Sequence, residues 1–238
     1  MKNLFITGNS SGLGHGLSEV YLYRGWQVYG VSRRGCQDLQ GPLHDVRCDL
    51  SDYEALPLAL DTLLEGCAGL DLVILNAGVL GRIADLHTTS LAEIQQVMDV
   101  NVWANKLILD WLLESGLKIN QIVLISSGAA VNGNRGWGAY ALSKATLNML
   151  GMLYAQEFVD SHFTSLAPGL VDTAMQDYLC HEAEVDAERF PSLQRLRAAR
   201  NTAQMPWPRQ AGEIIADTIP RLLQYPSGTF VDIRNLKD

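Results

Sequence analysis

The chain has 238 residues, of which 47% are hydrophobic and 18% charged, and this suits one globular domain spanning residues 1–238. Its 18 Lys and Arg against 26 Asp and Glu give a formal net charge of −8, which excludes nucleic acid as the main partner because phosphate-backbone affinity comes from basic side chains. No stretch approaches the ~20 apolar residues of a membrane span, and the first apolar run ends too early for a signal peptide. The four cysteines are too sparse for a disulfide scaffold and the histidines are scattered. We therefore expect a cytoplasmic protein with reduced thiols, no membrane partner and no metal site.

Short apolar runs alternate along the chain with longer segments of helical periodicity. In chain order, the predicted strands are Lys2–Thr7, Gln27–Val31, His44–Cys48, Leu70–Leu75, Gln121–Ser126, Phe163–Ala167 and Thr229–Ile233. The predicted helices are Gly12–Arg24, Ser51–Leu64, Ser90–Leu113, Trp137–Val159 and a segment near Gln210–Leu223. This alternation predicts βαβ units and an α/β fold with a Rossmann-type, doubly wound parallel sheet, whose ligands bind at the carboxyl ends of the strands.

Two of the predicted helices carry capping signals. Ser51 precedes acidic residues in the first turn of its helix and is predicted as the N-cap. Ser90 is followed three residues later by Glu93, the spacing of a capping box. The two serines mark where these helices should begin.

The segment TGNSSGLG, residues 7–14, joins the first strand to the first helix. Glycines at such a turn let the backbone approach a pyrophosphate, which then lies on the positive N-terminus of the helix. The residues predicted to bind a dinucleotide here are Gly8, Ser10, Ser11, Gly12, Leu13 and Gly14. A strand–helix turn that merely tolerates glycine is the alternative.

Two other motifs overlap this turn. A phosphate-binding P-loop requires Gly-Lys-Ser/Thr at its end, and Gly12-Leu13 lacks the lysine. The pattern G-x-S-x-G at Gly8–Gly12 fits the nucleophile elbow of a serine hydrolase, with Ser10 as the nucleophile. That elbow belongs deep in a hydrolase sheet, after strands that supply the oxyanion hole, whereas this turn follows the first strand. The hydrolase match is therefore interpreted as accidental.

Tyr140 and Lys144 are four residues apart in a predicted helix and therefore share one face. A cation beside a phenol lowers the pKa of the phenol from its usual ~10, so the tyrosine can exchange a proton near neutral pH. A packed tyrosine beside a solvated lysine is the alternative, because this spacing also arises by chance.

The Gly-x-x-x-Gly-x-Gly turn and the Tyr-x-x-x-Lys pair resemble motifs of the short-chain dehydrogenase/reductase family. Ser127 follows the strand QIVLIS and lies 13 residues before Tyr140, as the catalytic serine of that family does; Ser126 is the adjacent alternative. The resemblance implies that Tyr140 is the acid/base and that Ser127 orients the substrate oxygen. It also implies that Lys144 tunes the tyrosine and binds the nicotinamide ribose, and that Asn101 holds a proton-relay water.

Further matches to the family follow other predicted strands. Asn76-Ala77-Gly78 resembles a motif beside the cofactor, and Asp49-Leu50 resembles the pair beside the adenine. Pro168-Gly169 and Thr173 resemble the turn whose backbone and threonine contact the carboxamide of nicotinamide. These matches occur in the order of the family, so the resemblance implies hydride transfer between a nicotinamide dinucleotide and a carbonyl or alcohol carbon.

The end of the second predicted strand bears on which nicotinamide cofactor is used. NAD-preferring sites carry an acidic residue there, which holds the ribose 2′-hydroxyl. In this chain the position is Ser32, followed by Arg33 and Arg34. Guanidinium groups offer a 2′-phosphate several charged hydrogen bonds, so we predict NADP (NADPH) as the cofactor. Two solvated surface arginines are the alternative.

Residues 170–209 form the least regular segment and are predicted to be a helical lid over the substrate. The pattern D-T-x-M-Q at 172–176 and the ending SGTFVD at 227–232 resemble the sepiapterin reductase and benzil reductase branch of the family. In sepiapterin reductases an aspartate matching Asp232 anchors the amino-pyrimidine ring of the pterin; a strand aspartate that satisfies backbone donors is the alternative. Trp137 and Met175 are also predicted to contact substrate.

Other side chains of the lid are less specific signals. Tyr178, Phe190 and Trp207 would extend an apolar wall beside Met175, although aromatic residues are more often part of a core. The charged residues of this segment are interpreted as a solvated helix face. They are Glu182, Glu184, Asp186, Glu188, Arg189, Arg195, Arg197 and Arg200.

The sequence thus predicts an NADPH-dependent oxidoreductase that reduces a ketone or diketone carbonyl to an alcohol. One alternative is an NADP-dependent alcohol dehydrogenase working oxidatively, and another is a catalytically silent, cofactor-binding regulatory protein on the same fold. The predicted helices over 90–113 and 137–159 match those that pair between subunits of related enzymes, which implies a homodimer or homotetramer.

Overall fold

The computed structural model describes residues 1–182 and 187–236. Its strands are β1 (Asn3–Thr7), β2 (Gln27–Ser32), β3 (Leu43–Arg47), β4 (Gly69–Leu75), β5 (Lys118–Ile125), β6 (His162–Ala167) and β7 (Thr229–Asp232). Within the described residues, these strands pair in parallel as one sheet in the order β3-β2-β1-β4-β5-β6-β7. Because the order reverses between β1 and β4, the sheet is doubly wound, which confirms the predicted Rossmann-type α/β fold.

Helices cover both faces of this sheet. They are α1 (Gly12–Tyr23), α2 (Ala55–Leu63), α3 (Leu91–Met98), α4 (Ala104–Glu114), α5 (Gly138–Glu157), α6 (Ala174–Asp177), α7 (Pro191–Ala199) and α8 (Pro208–Thr218). Side chains of α1 and α8 pack on one face, and those of α2, α4 and α5 pack on the other. Successive strand residues alternate between the two cores, so that Leu72 and Ile74 face α1 while Val73 and Leu75 face the opposite side. Because helices bury both faces of the sheet, ligands can approach it at the ends of the strands.

A separate hydrophobic cluster underlies α7. It joins Leu193 and Leu196 of α7 to Leu80, Ile83 and Phe190. This cluster holds α7 against the segment that follows β4 rather than against the sheet. Among the helices in the described ranges, none combines the length and the apolar character needed to cross a membrane.

The predicted helix start at Ser90 is confirmed, and the one at Ser51 is wrong. The Ser90 hydroxyl accepts the N–H of Glu93 at 3.2 Å, and the Glu93 carboxylate accepts the N–H of Ser90 at 2.8 Å. By contrast, α2 begins only at Ala55. The Ser51 hydroxyl donates to the carboxylate of Asp49 at 2.7 Å, so it is engaged outside the helix.

The predicted continuous helix over 90–113 is interrupted. α3 ends at Met98, a π-helical turn covers Asp99–Trp103, and α4 follows. In this turn the buried side chain of Asn101 accepts the N–H of Val79 and donates to its carbonyl oxygen, each at 2.8 Å. Single π-helical turns of this kind occur inside α-helices, frequently at functional sites, and hydrophobic periodicity does not indicate them.

α1 and α8 cross with their backbones in contact. A Cβ atom at Gly16 of α1 would lie 2.2 Å from the carbonyl oxygen of Pro208 and 2.8 Å from the backbone nitrogen of Arg209. A Cβ atom at Gly212 of α8 would lie 2.8 Å from the carbonyl oxygen of Gly16. This face of the sheet is therefore packed through two glycines.

We expect Gly16→Ala to lower the free energy of unfolding by about 2 kcal/mol, since α1 and α8 must separate to admit the methyl group. For a chain of this size, that loss lowers the thermal midpoint by about 4–8 °C, which a melting curve measures. The control is Gly133→Ala, because among the described residues no atom lies within 4 Å of a Cβ at Gly133. A Gly16→Ala variant that melts with the wild type would contradict this packing.

Candidate active site

A cavity of about 720 Å³ opens at the carboxyl ends of β1 to β6. The loops that follow each of these strands contribute to its lining, including those after β1 and β4 on either side of the strand-order reversal. Its volume is that of a small-molecule site, and its position is where doubly wound sheets bind ligands. The cavity is therefore the candidate active site.

Most of the predicted site residues line this cavity. They are Gly8, Ser10, Ser11, Gly12, Leu13, Arg33, Arg34, Asp49, Leu50, Asn76, Ala77, Gly78, Ser127, Trp137, Tyr140, Lys144, Pro168, Gly169, Thr173 and Met175. Gly14, Asn101 and Asp232 lie behind the lining. Each of them contacts a residue of the lining: Gly14 contacts Gly8, Asn101 contacts Val79, and Asp232 contacts Arg234.

The glycine-rich turn presents backbone to the cavity. A Cβ atom at Gly14 would lie 2.2 Å from the carbonyl oxygen of Gly8 and 2.4 Å from Nδ2 of Asn76, so only glycine allows α1 to begin this close to β4. In the described part of the chain, the Ser11 side chain makes no capping hydrogen bond to α1. An unobstructed helix N-terminus behind a turn without bulky side chains fits the pyrophosphate of a dinucleotide.

The loop after β2 carries Arg33 and Arg34, both exposed, along the cavity. Hydrogen bonds to the Asp45 carboxylate hold this loop in place. The backbone N–H of Cys36 donates to Asp45 at 2.8 Å, and the other oxygen of that carboxylate accepts from Asn9 at 2.7 Å. The two arginines therefore lie on a fixed loop that is tied, through Asp45, to the glycine-rich turn.

Ser127, rather than Ser126, is paired with Tyr140. The side chain of Ser127 lies beside the phenol of Tyr140, where it acts to lower the pKa of that tyrosine. The hydroxyl of Ser126 instead donates to Oδ1 of Asn148 at 2.6 Å. Between the two candidate serines, the geometry thus favours Ser127 as the partner of the tyrosine, in line with the spacing in the sequence.

In the chain on its own, burial rather than Lys144 sets the direction in which the pKa of Tyr140 is shifted. Burial raises the pKa of Tyr140 above its usual value, although the side chain of Ser127 opposes the shift. Burial also lowers the pKa of Lys144 to about 8. The lysine Nζ lies 5.8 Å from the centre of the tyrosine ring and donates to the carbonyl oxygen of Ile125 at 2.7 Å, so its charge is directed partly away from the phenol. Tyr140 is therefore held in its protonated form at neutral pH.

Asn101 has its amide group fully engaged. Besides its two bonds to Val79, Nδ2 donates to Oγ of Ser143 on α5 at 2.9 Å. The backbone carbonyl oxygen of Asn101 accepts from Nδ2 of Asn105 at 2.8 Å and, as a carbonyl, can accept a second hydrogen bond. The Asn101 side chain thus fixes the loop after β4 against α5.

The side of the cavity beyond Tyr140 is formed by the predicted lid. Trp137 lies with its ring centre 6.2 Å from that of Tyr140 and donates from Nε1 to Ser192 at 2.7 Å. Of the four side chains considered for an apolar wall, Met175 lines the cavity, whereas the three aromatic ones do not. Phe190 is buried in the cluster under α7, Trp207 is 64% exposed ahead of α8, and Tyr178 packs on that cluster outside the cavity lining.

The solvated helix face predicted for the charged residues of the lid is wrong for Arg200, whose side chain is 15% exposed, whereas that of Arg189 is 54% exposed. Arg189 pairs with the buried carboxylate of Asp85, and Arg200 pairs with that of Asp172 at 3.1 Å. Buried carboxylates need such partners, and alternating charge along the sequence does not indicate them. Glu184 and Asp186, which belong to the same prediction, lie outside the described residues.

Asp232 does not present a free carboxylate to the cavity. Its two oxygens accept from Nε and Nη2 of Arg234 at 2.9 and 2.5 Å, and Arg234 itself lines the cavity. Arg234 and the lid residues Arg195 and Gln204 also line the cavity, although no sequence motif marked them as site residues. The rule that ligands bind at strand ends could have predicted Arg234, because it lies two residues beyond β7.

Comparisons with known proteins agree with this geometry. The model of the short-chain dehydrogenase family matches residues 2–184. Over 250 aligned residues the chain is 30% identical to a benzil reductase ((S)-benzoin forming) of Bacillus subtilis, which covers 98% of this chain and 99% of the relative. A benzil reductase ((S)-benzoin forming) of Saccharomyces cerevisiae is 27% identical over 236 residues, 92% of this chain and 90% of the relative.

Solved structures show the same similarity. The crystal structure of the KRED1-Pglu enzyme aligns with a TM-score of 0.83 at 26% identity, over 97% of this chain and 100% of that one. The family match covers well over half of the chain and includes the ends of β1 to β6, which line the cavity. This chain therefore belongs to the short-chain dehydrogenase family of oxidoreductases, whose members bind a nicotinamide cofactor.

Proposed function

We propose that this protein is an NADPH-dependent carbonyl reductase that converts a ketone or diketone into an alcohol. The observation that carries the proposal is the meeting of Ser127, a protonated Tyr140 and the buried Lys144 in the cavity at the strand ends. The similarity to two benzil reductases, whose names specify reduction of a diketone, supports the choice of substrate class.

The described residues fit a dinucleotide along the whole cavity. The glycine-rich turn would hold the pyrophosphate, Arg33 and Arg34 the 2′-phosphate, and Asp49-Leu50 the adenine. Asn76-Ala77-Gly78 would line the middle of the cofactor, with Pro168-Gly169 and Thr173 against the carboxamide. When bound, the nicotinamide supplies a hydride to the carbonyl carbon of the substrate.

The chain's own groups would supply the proton. Tyr140 donates its phenolic proton to the carbonyl oxygen as the carbon–oxygen double bond becomes single, and Ser127 donates a hydrogen bond to the same oxygen. The ammonium of Lys144 stabilises the negative charge left on the phenol. A water on the backbone oxygen of Asn101 would return a proton to the site.

A protonated Tyr140 is the form from which carbonyl reduction starts. A reductase must begin its cycle with a protonated tyrosine, and burial raises the pKa of Tyr140. An alcohol dehydrogenase working oxidatively needs the phenolate as base, which the same burial disfavours. A silent regulatory protein would have no use for a buried lysine beside a serine–tyrosine pair.

A homodimer or homotetramer remains part of the proposal. The outer face of α5 exposes several apolar side chains, Leu142, Met149, Met152 and Leu153, each 45–56% exposed. Contiguous exposed apolar surface of this kind supports pairing of α5 between subunits.

Tyr140→Phe tests the proton donor. We expect kcat for ketone reduction to fall by about 10²–10⁴-fold, since the carbonyl oxygen loses its acid, while the dissociation constant of NADPH changes less than about threefold. Turnover and quenching of protein fluorescence by NADPH measure the two. The matched control is Tyr23→Phe, at a tyrosine that is 84% exposed. Near-wild-type turnover of Tyr140→Phe would overturn the mechanism.

The cofactor preference is tested at the loop after β2. We expect the wild type to have a lower KM for NADPH than for NADH, and the double variant Arg33→Ala/Arg34→Ala to raise the KM for NADPH by about 10–100-fold with little effect on NADH. Arg82→Ala, an exposed arginine outside the cavity lining, is the control. A wild type that prefers NADH would contradict NADPH as the cofactor.

The pH dependence of reduction follows from Lys144. Its pKa of about 8 means that the ammonium, which stabilises the developing phenolate, is present below pH 8 and is lost as the pH rises through that value. Tyr140 stays protonated over the same range because its pKa is raised. We therefore expect kcat/KM for a ketone to be level below about pH 8 and to decline above it, with no such inflection in Lys144→Met. A rate that increases through pH 8 would contradict the assignment.

A further inference from the structure

Arg234 is a cationic group of the cavity lining that is not assigned to the cofactor. The guanidinium of Arg234 is held in a fork by Asp232, with Nε donating to Oδ1 at 2.9 Å and Nη2 to Oδ2 at 2.5 Å. The backbone N–H of Arg234 also donates to Oδ1 at 3.0 Å. Asp232 is 9% exposed, whereas Arg234 is 59% exposed and lines the cavity.

Arg234 lies beside the serine of the proposed proton-donating pair. A Cβ atom at Gly128, the residue after Ser127, would lie 3.0 Å from Nη2 of Arg234 and 3.8 Å from Oδ2 of Asp232. The guanidinium therefore occupies the space that a side chain at position 128 would fill. On its other side, the Arg234 side chain approaches Gly169, where a Cβ would lie 4.0 Å from its Cγ. The pair thus lies between the ends of β5 and β6.

The pair offers donors without a large net charge. The hydrogen bond to Arg234 lowers the pKa of Asp232, so the carboxylate stays ionised and neutralises the guanidinium. A guanidinium carries more N–H donors than one carboxylate can accept, so donors remain outside the fork. Fixed donors in a neutral pair suit an uncharged oxygen acceptor, and such a site rejects an analogue that lacks the acceptor.

We propose that Arg234, positioned by Asp232, binds a second carbonyl oxygen of the substrate, so that the enzyme selects neutral dicarbonyl compounds over monoketones. This inference rests on the proposed carbonyl reductase function. It replaces the expectation that Asp232 anchors an amino-pyrimidine, because the carboxylate that would accept those N–H groups is already occupied by Arg234. The cavity presents N–H donors at this point, and a second carbonyl is their complement.

The test compares benzil with deoxybenzoin, which has the same frame but lacks one carbonyl oxygen. Diketones are intrinsically more electrophilic, so the informative quantity is the change in the ratio of the two kcat/KM values between variants. We expect Arg234→Met to lower kcat/KM for benzil by about 10–100-fold and that for deoxybenzoin by less than about threefold. Asp232→Asn should shift the ratio in the same direction by a smaller factor, since it leaves the guanidinium in place but loosens the fork.

Two controls separate this effect from general damage. Arg24→Met removes an arginine from another partly exposed ion pair, with Asp217 at 2.7 Å and outside the cavity lining, and should leave the ratio unchanged. The dissociation constant of NADPH for each variant reports folding and cofactor binding without turnover. If Arg234→Met folds poorly, Arg234→Lys serves as the second variant. It keeps a donor and a positive charge, so its ratio of kcat/KM values should lie between those of the wild type and Arg234→Met.

The outcomes distinguish the subsite from the function on which it rests. Equal losses on benzil and deoxybenzoin would overturn the role of Arg234 and leave the reductase intact. A larger loss on phenylglyoxylate, a 2-oxo carboxylate, than on benzil would show that the subsite selects an anion, and would overturn the assignment to neutral dicarbonyls. A wild type that fails to oxidise NADPH whichever ketone or diketone is added would overturn both the reductase and the subsite.

Discussion

The hydrogen bonds between Thr7 and Asn76 hold together the two strands between which the sheet reverses its order. The Thr7 hydroxyl accepts the backbone N–H groups of Asn76 and Ala77, each at 3.0 Å, and Asn76 Nδ2 donates to the Thr7 carbonyl oxygen at 3.0 Å. Gly14 then allows α1 to begin against the same asparagine. With the turn fixed in this way, backbone forms the wall of the cavity at this point, and Arg33 and Arg34 enter the cavity from the end of the neighbouring strand β2.

Burial has opposite consequences for the two ionisable groups of the candidate site. It disfavours the charged form of each, so it keeps Tyr140 protonated and brings the pKa of Lys144 down to about 8. A protonated phenol and a lysine that can still carry charge at neutral pH are suited to giving a proton away. The same low-polarity surroundings would strengthen the hydrogen bond that Ser127 gives to a substrate oxygen.

The sequence was sufficient for the parts of the fold that depend on local pattern. Alternating apolar runs predicted the parallel sheet, and the rule that ligands bind at strand ends located most of the cavity lining. It was insufficient where a side chain chooses a partner distant in the chain. Asn101 bonds Val79 and so interrupts a helix whose periodicity is continuous, and Arg200 bonds Asp172 where the charge pattern indicated a solvated face.

The pair of Asp232 and Arg234 illustrates the same limit within the site. The resemblance of the chain's ending drew attention to the aspartate, but its neighbour two residues later determines what the cavity offers a ligand. A carboxylate without a partner offers hydrogen-bond acceptors to a ligand. A carboxylate that forms a fork with an arginine instead holds the N–H donors of the guanidinium in place.

The most direct test of the central claim is the stoichiometry of NADPH oxidation and alcohol formation when the purified protein is given benzil. A carbonyl reductase with Tyr140 as its acid predicts that one benzoin forms for each NADPH oxidised, and that both processes stop together when either reactant is exhausted. NADPH that remains unoxidised with benzil and with a broad panel of other ketones would contradict the claim.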